Sequence, residues 1–573
     1  MAQKVGIGYQ SFREVREENI FYIDKTLFIK EWWEYADKVT LITRPRRFGK
    51  TLNLSMLECF FSNQYAGRSD LFEGLAIWDE KSSAGDYEYR QLQGGYPVIA
   101  LSFASIKTGK TDGIRTAMKQ IIANVYQSFR HIMKSELFDE KDRAYFRSVN
   151  DDMTDETAYI SLNRLCTYLK KFYDTDVIIL LDEYDTPMQE AWLAGNWNET
   201  VAFFRNFFNA TFKTNPHLYR GLITGITRIS KESIFSDLNN LEVVSTTSDK
   251  YATQFGFTEE EVFQALDDME LGQEKQRVKQ WYDGFTFGTH TDIYNAWSII
   301  SFISKRGRYD TYWADTSSNG LINSLMQTGV SSVKKTVEEL LLGNSFTVPI
   351  DEQIVFNQLD ASTNAVWSLL LAAGYLKVVA KEELRPDRAG DPQYTLTLTN
   401  YEVLLMFRKM VKGWFRIDES DSAYNNFVKA LLLDDVDAMN EFMNKIALQS
   451  FSSFDVAKSA SDADDPERFY HGFVLGMMVD LDGRYVITSN KESGFGRYDI
   501  MLKPTDKEKD NAYIIEFKVH KPKREKNLEE TVANALAQIA EKQYEAELTA
   551  EGIAPECIRK YGFAFEGKMC LIG

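Results

Sequence analysis

Over roughly the first 245 residues, short continuous hydrophobic runs alternate with segments whose apolar residues recur at helical spacing. The runs 39–43 (VTLIT), 98–103 (VIALSF), 177–181 (VIILL) and 219–227 (YRGLITGIT) read as strands. The segments 28–36, 52–61, 111–130, 162–172 and 201–212 read as helices. Strands apolar on both faces, separated by helices, predict an α/β fold whose parallel sheet is covered on both sides.

Beyond that the pattern changes twice. From 258 to about 345 it is mostly helical. The segment 364–377 (NAVWSLLLAAGYLK) predicts a helix ending near Gly374, followed by a hairpin with 394–398 (YTLTL) as second strand and a helix over 401–414. Helix, hairpin, helix resembles a winged-helix fold; a helical lid with a small hairpin is the alternative. From about 422 the reading is helices 424–433, 436–447 and 467–479, strands 485–489, 498–503 and 513–519, helix 528–545 and a last strand 561–566. That is a second α/β unit.

Composition narrows the class without naming a function. A chain of 573 residues suggests about three to five domains. With 11 Pro and no Pro- or Gly/Ser-rich linker, those domains are expected to pack against one another. A net charge of −18 argues against a polyanion-binding surface over the whole molecule, though not against a local basic groove. The four cysteines, Cys59, Cys166, Cys557 and Cys570, form no CxxC pair and are expected as reduced thiols. The start lacks a signal-peptide pattern and no run of 18 apolar residues occurs, so the expectation is a cytoplasmic protein with no membrane partner.

Candidate chemistry begins after the first strand, at Arg44-Pro45-Arg46-Arg47-Phe48-Gly49-Lys50-Thr51-Leu52. Strand, tight loop and helix are the context in which backbone N–H groups cradle phosphate, that is, a P-loop. Lys50 is then the candidate for the β/γ-phosphates of ATP and Thr51 for Mg²⁺, with Arg46, Arg47, Gly49 and Leu52 completing the nucleotide-binding set. Arg44 stands where G-x-x-x-x-G-K-[ST] has its first glycine. The strand 177–181 runs into Asp182-Glu183, acids at the carboxyl end of a strand where ligands of parallel sheets bind. Asp182 is the candidate to hold Mg²⁺ through water and Glu183 to orient the attacking water. Thr224 is a candidate γ-phosphate sensor, and Arg228 a charge-stabilising arginine acting in cis or in trans.

The stretches ITRPRRFGKT, LLDEYDTP, ITGITRISKESIFSDLNNL, WYDGF and YNAWSI resemble the AAA-ATPase-like family of bacterial proteins, in that family's order and over nearly the whole chain. The resemblance implies an AAA-like P-loop ATPase followed by a C-terminal PD-(D/E)xK nuclease-like domain; with the changes of pattern above, the domains are expected over 1–250 (ATPase), 251–345 (helical lid), 346–420 (winged-helix or lid) and 421–573 (nuclease-like). It also implies that Arg44 in place of glycine is a family feature. Trp281 to Phe285 and Tyr312-Trp313 are expected as packing rather than as base platforms.

In the strand 513–519 (YIIEFKV), Glu516 and Lys518 lie two apart and share a face. Asp499 sits on the preceding strand, and a hairpin would bring it to Glu516. Two carboxylates and a lysine suit Mg²⁺-assisted phosphodiester hydrolysis. The set is similar to PD-(D/E)xK nucleases. That resemblance adds Glu467, with His471 on its helix, as a further metal-site acid, and Gln538 and Tyr544 from the helix after the strand. A structural ion-pair cluster in an inactive nuclease-like fold is the alternative. Five cations, Lys518, Lys521, Lys523, Arg524 and Lys526, fall within nine residues and could grip a phosphate backbone. The expectation is an ATP-hydrolysing protein coupled to a Mg²⁺-dependent nuclease acting on DNA or RNA. Its rival is a nucleotide-dependent switch whose C-terminal domain binds a partner without cleavage. Homo-oligomerisation is left open.

Overall fold

The computed structural model describes all residues except 1–3, 83–84, 229–233, 236–237, 314–330, 342, 352–362, 383–391, 415–420, 451–469, 471–473, 476–477, 479–480, 482 and 495. The chain divides into two compact units, 1–325 with 345–404 and 326–344 with 405–573.

In the first unit β1 (Val39–Thr43), β2 (Val98–Ser102), β3 (Val177–Asp182), β4 (Leu218–Gly225) and β5 (Leu241–Val244) form a parallel sheet in the order β2-β3-β4-β1-β5. β1 and β3 are buried along their whole length, as continuous apolar strands require. The sheet order sets β4 between β1 and β3, so the carboxyl ends of three chemistry-bearing strands lie side by side. The pattern of apolar residues did not predict β5. Local signals explain the helices between. Asp155–Tyr173 starts at Thr154, whose side chain accepts from the Thr157 N–H, with Asp155 and Glu156 in its first turn and Lys170 and Lys171 in its last. It extends seven residues further back than the apolar periodicity of 162–172 predicts.

The region 258–345 departs from its expected helical character. Helices Glu259–Asp268, Lys275–Tyr282 and Ala296–Ser304 are present, but β6 (Phe257–Thr258), β7 (Phe285–Phe287) and β8 (His290–Tyr294) form an antiparallel sheet among them. Such short strands carry too little periodicity to read. Their turn is fixed from outside: Gly288 has φ +58 and a Cβ there would stand 2.3 Å from Asp249 Oδ1. The helix Thr363–Ala372 ends two residues before Gly374, which has φ +86. β10 (Leu376–Lys381) then pairs with β11 (Gln393–Leu398), and β9 (Phe346–Pro349) adds a third strand before helix Tyr401–Trp414.

In the second unit, helices Asp421–Leu432 and Val436–Ser450 precede a sheet in the order β12-β15-β16-β17-β18. Its strands are β12 (Tyr485–Ser489), β15 (Ile500–Pro504), β16 (Ala512–Val519), β17 (Ile558–Glu566) and β18 (Met569–Ile572), and a two-stranded hairpin of β13 (Glu492–Ser493) and β14 (Gly496–Arg497) precedes β15. β16 and β17 are parallel, bridged by helix Leu528–Glu541. The outer edge of β18 is not left open. Asn440 accepts from the Ile572 N–H and donates to its carbonyl, and Asn444 does the same at Cys570. The helix predicted over 528–545 stops at Glu541 because Gln543 turns left-handed at φ +52.

Candidate functional site

The loop 44–49 joins β1 to the helix Lys50–Phe61. Gly49 caps that helix at φ +81 with no side-chain cap, so the first helical N–H groups point into the loop. The left-handed positions are Arg47, at φ +66, and Gly49. Arg44 is not among them: its N–H continues the β1–β4 pairing by donating to the Gly225 carbonyl at 3.1 Å. An arginine can therefore stand where a glycine was expected. Its guanidinium is fully buried, donates to the carbonyls of Thr43, Ser245 and Lys250, and lies 4.4 Å from the Phe287 ring centroid. Burial without a carboxylate lowers its pKa to about 9, which leaves it cationic at neutral pH.

Lys50 is buried and donates to the carbonyls of Arg44 and Pro45 at 2.9 and 2.8 Å. Burial lowers the Lys50 pKa, against the pull of Glu183 and Asp182. The Thr51 hydroxyl donates to Asp182 Oδ2 at 2.6 Å, and the Thr224 hydroxyl donates to Asp182 Oδ1 from the adjoining strand. Glu183 has φ +50 and its carboxylate accepts from the Thr186 hydroxyl at 3.1 Å. Thus the helix that follows β1 and the ends of β3 and β4 each contribute to one cluster.

Two residues in LLDEYDTP went unrecognised in the sequence. Asp185, 1% exposed, accepts from the N–H groups of Ile226 and Thr227, the Thr227 hydroxyl and the Gln189 amide. The Tyr184 hydroxyl donates to the Thr227 carbonyl. Together they hold the turn leaving β4. Gly225 is required there, because a Cβ would stand 2.6 Å from the Tyr184 ring. The signal available was a third acid, two residues behind Asp182-Glu183, with no assigned partner.

A cavity of about 600 Å³ opens over the loop. Arg46, Arg47, Gly49, Lys50, Thr51, Leu52 and Glu183 line it, while Asp182 and Thr224 lie behind Thr51. Arg228 follows the turn at Thr227 and is not among the described residues lining the cavity. The opposite wall comes from segments not foreseen: Gly8, Tyr9, Phe21 and Tyr22 near the start of the chain, and Trp297 and Ile300 of the YNAWSI helix. The Arg47 guanidinium stacks 4.1 Å from the Trp297 ring centroid, and Phe48 packs 4.7 Å from Phe285. A third acidic group, Glu259, Asp283 and Asp292, gathers carboxylate oxygens within 4.8 Å of one another, and Lys279 already pairs with two of them.

In the second unit, Ile500 pairs with Ile515 in antiparallel β15 and β16. Asp499 stands immediately before β15, one position outside that pairing and not within the strand 498–503 that the sequence predicts. Asp499 Oδ2 accepts from the Phe517 N–H at 2.8 Å. Burial pushes the Asp499 pKa up to about 6, although that bond and the Lys518 charge oppose it. Glu516, 2% exposed, accepts from the Gln538 amide, and Lys518 Nζ lies 3.3 Å from Glu516 Oε1. Gln538 also donates to the Tyr544 hydroxyl at 3.1 Å, so Tyr544 reaches the cluster from beyond the helix end. Lys542 caps the helix and runs along Gly496. Glu467 and His471 lie outside the described residues. The cysteines are free, and no described helix is long and apolar enough to cross a membrane.

Residues 6–235 match the family model of a predicted AAA-ATPase, and residues 465–573 match that of the PD-(D/E)XK nuclease superfamily. An uncharacterized protein in the vnfD 5′ region of Azotobacter chroococcum mcd 1 is 25% identical over 403 residues, 70% of this chain and 68% of that protein. The parallel five-stranded sheet with its phosphate-type loop and the mixed sheet with its paired acids agree with those two matches, and the chain therefore carries an AAA-ATPase-like domain followed by a C-terminal domain of the PD-(D/E)XK nuclease superfamily.

Proposed function

We propose that the protein binds and hydrolyses ATP at the 44–51 loop, and that its C-terminal domain is a Mg²⁺-dependent nuclease acting on DNA or RNA under control of the nucleotide state. The observation that carries the first half is the meeting of Thr51, Thr224 and Asp182 beside Lys50. A hydroxyl and a carboxylate are hard oxygen donors of the kind Mg²⁺ accepts alongside retained waters and phosphate oxygens. When bound, the ion would draw negative charge from the phosphate oxygens. Lys50 would exchange two loop carbonyls for the β/γ-phosphates. Glu183, steadied by Thr186, would orient the attacking water and take its proton. Thr224 would report the γ-phosphate through Asp182, and Arg228 is retained as the charge-stabilising arginine.

The second half rests on Asp499 bound to the Phe517 N–H, the residue between Glu516 and Lys518, with Lys518 alongside Glu516. The two carboxylates fit the same hard ion; Gln538 would hold Glu516 in place and Lys518 would steady the attacking water. Two activities in one chain invite coupling, for which the AAA-ATPase-like domain is the regulatory half.

Lys50→Ala tests the nucleotide site: ATP binding and turnover are expected to be lost, and wild-type affinity with wild-type hydrolysis refutes the assignment. Glu183→Gln is expected to retain ATP while slowing turnover by roughly 10²-fold or more, the scale of a lost general base. Metal-dependent cleavage of a mixed DNA and RNA panel, with and without ATP, tests the rest. No cleavage of any substrate by a protein that hydrolyses ATP leaves the switch that binds a partner without cutting.

A further inference from the structure

The turn after β16 carries Lys521, Lys523, Arg524 and Lys526, all exposed. Among the described residues no carboxylate forms an ion pair with these four side chains. The one acid in the turn, Glu525, does not offset them at the surface. It points inward, 13% exposed, where Oε2 accepts from the Lys521 N–H at 2.9 Å and the Thr531 hydroxyl at 2.8 Å, and Oε1 accepts from the Asn534 amide at 2.9 Å. His520 Nδ1 lies 2.9 Å from the buried Thr531 hydroxyl, which extends the network into the domain. A second acid holds the other end: Glu530 Oε2 accepts from the Lys526 N–H at 2.6 Å. Between them the Lys521 carbonyl accepts from the N–H groups of Arg524 and Glu525. Carboxylates are thus spent on the backbone of the turn, and cations are left on its outside.

We propose that this is a preorganised docking element for a phosphodiester backbone, and that Glu525 is the positioning residue that holds it in shape. The inference rests on the nucleic-acid reading of the C-terminal domain and deepens it. Lys521 is three residues beyond Lys518, so the turn begins within about 11 Å of the Glu516–Lys518 pair along the chain. A nucleic-acid strand carries a charge about every 3.4 Å of axis, so one strand could engage the turn while a neighbouring phosphodiester lies at the carboxylates. In a molecule of net charge −18, a held cluster of four cations gives a polyanion a local address.

Glu525→Ala separates positioning from charge, because the two effects have opposite signs. Deleting a carboxylate makes the turn more positive and, by charge alone, tightens binding. Loosening the turn weakens it, since the ordering cost then falls on the binding step. The measurement is fluorescence anisotropy of the full-length protein with a labelled DNA oligonucleotide, single-stranded and duplex, in EDTA over a salt series. Glu525→Ala is expected to bind about tenfold more weakly, on the order of the cost of ordering one backbone residue. Arg524→Ala is expected to flatten the slope of log affinity against log salt by about 0.7–0.9, the loss of one phosphate contact. Asn534→Ala removes one donor to Glu525 without changing charge, and serves in place of Glu525→Ala if that variant fails to unfold cooperatively; weakened binding is expected. Glu525→Ala or its substitute binding as tightly as wild type, an unchanged slope for Arg524→Ala, or wild type binding neither oligonucleotide overturns the proposal. Cleavage in Mg²⁺ is read in parallel: the expected order of affinities in a protein that cleaves nothing supports the turn and removes the nuclease reading alone.

Discussion

Single residues carry much of what is distinctive in the first unit. Asp185 is almost fully buried and accepts four hydrogen bonds, three of them from the turn leaving β4. Asp185→Ala leaves those donors buried without an acceptor, which costs roughly 1–3 kcal/mol for each such group. Denaturant unfolding should register a loss of that order at least, with ATP turnover falling further than ATP affinity, because the turn sits behind Thr224. Asp283 gives a signed pH effect. Burial and the neighbouring Asp292 raise its pKa to about 7, while Lys279 opposes them and Glu259 and the Tyr294 hydroxyl stand close by. Its unfolded value is about 3.9. The folded chain therefore binds a proton that the unfolded chain has released between those values, and this contribution to stability falls as pH rises from about 4 to 7. Asp283→Asn, which keeps a donor toward Asp292, should flatten the thermal midpoint across that window and raise it above pH 7; an unchanged profile rules the account out.

At the scale of elements, strands and helices are held as much by groups at their ends and edges as by their apolar faces. Helix Glu259–Asp268 opens with a reciprocal capping box, Thr258 with Glu261, and Glu261 also pairs with the buried Lys25. β18 is closed by Asn440 and Asn444, whose amides satisfy its outward N–H and carbonyl groups. Replacing Asn444 with alanine strips both partners from Cys570. A loss of about 1–3 kcal/mol by denaturant unfolding is expected. Faster amide hydrogen exchange at Cys570 should accompany it, and exchange at the wild-type rate would show that the edge is protected by something else. The short strands β7 and β8 are the opposite case, since their turn is set by Asp249 from a distant segment rather than by their own residues.

At the scale of the molecule, the phosphate-type loop lies in the first compact unit and the acids Asp499 and Glu516 in the second. Lys518→Ala should therefore abolish any Mg²⁺-dependent cleavage while leaving ATP turnover close to wild type. Parallel ATPase and nuclease assays on one preparation decide this. A matching loss of ATP turnover would mean that Lys518 supports the fold of the chain rather than a separate site.

Much of this organisation is local and so legible before folding. Strand 177–181 is apolar at every position and ends in Asp182-Glu183; GKT follows a strand and opens a helix; Glu516 and Lys518 are two apart on a strand. Periodicity and adjacency determine those features, because each depends on residues a few positions apart. Tertiary structure alone decided which distant residues meet. Thr224 reaches Asp182 because β4 lies beside β3, and Asp499 reaches the Phe517 N–H, next to Glu516, because β15 and β16 pair in one particular antiparallel register. The cavity wall of Tyr9 and Trp297, the clamp of Asp185 and the inward turn of Glu525 have no short-range signature. A carboxylate reads the same in a sequence whether it faces water or holds a backbone N–H, and only the packing around it determines which.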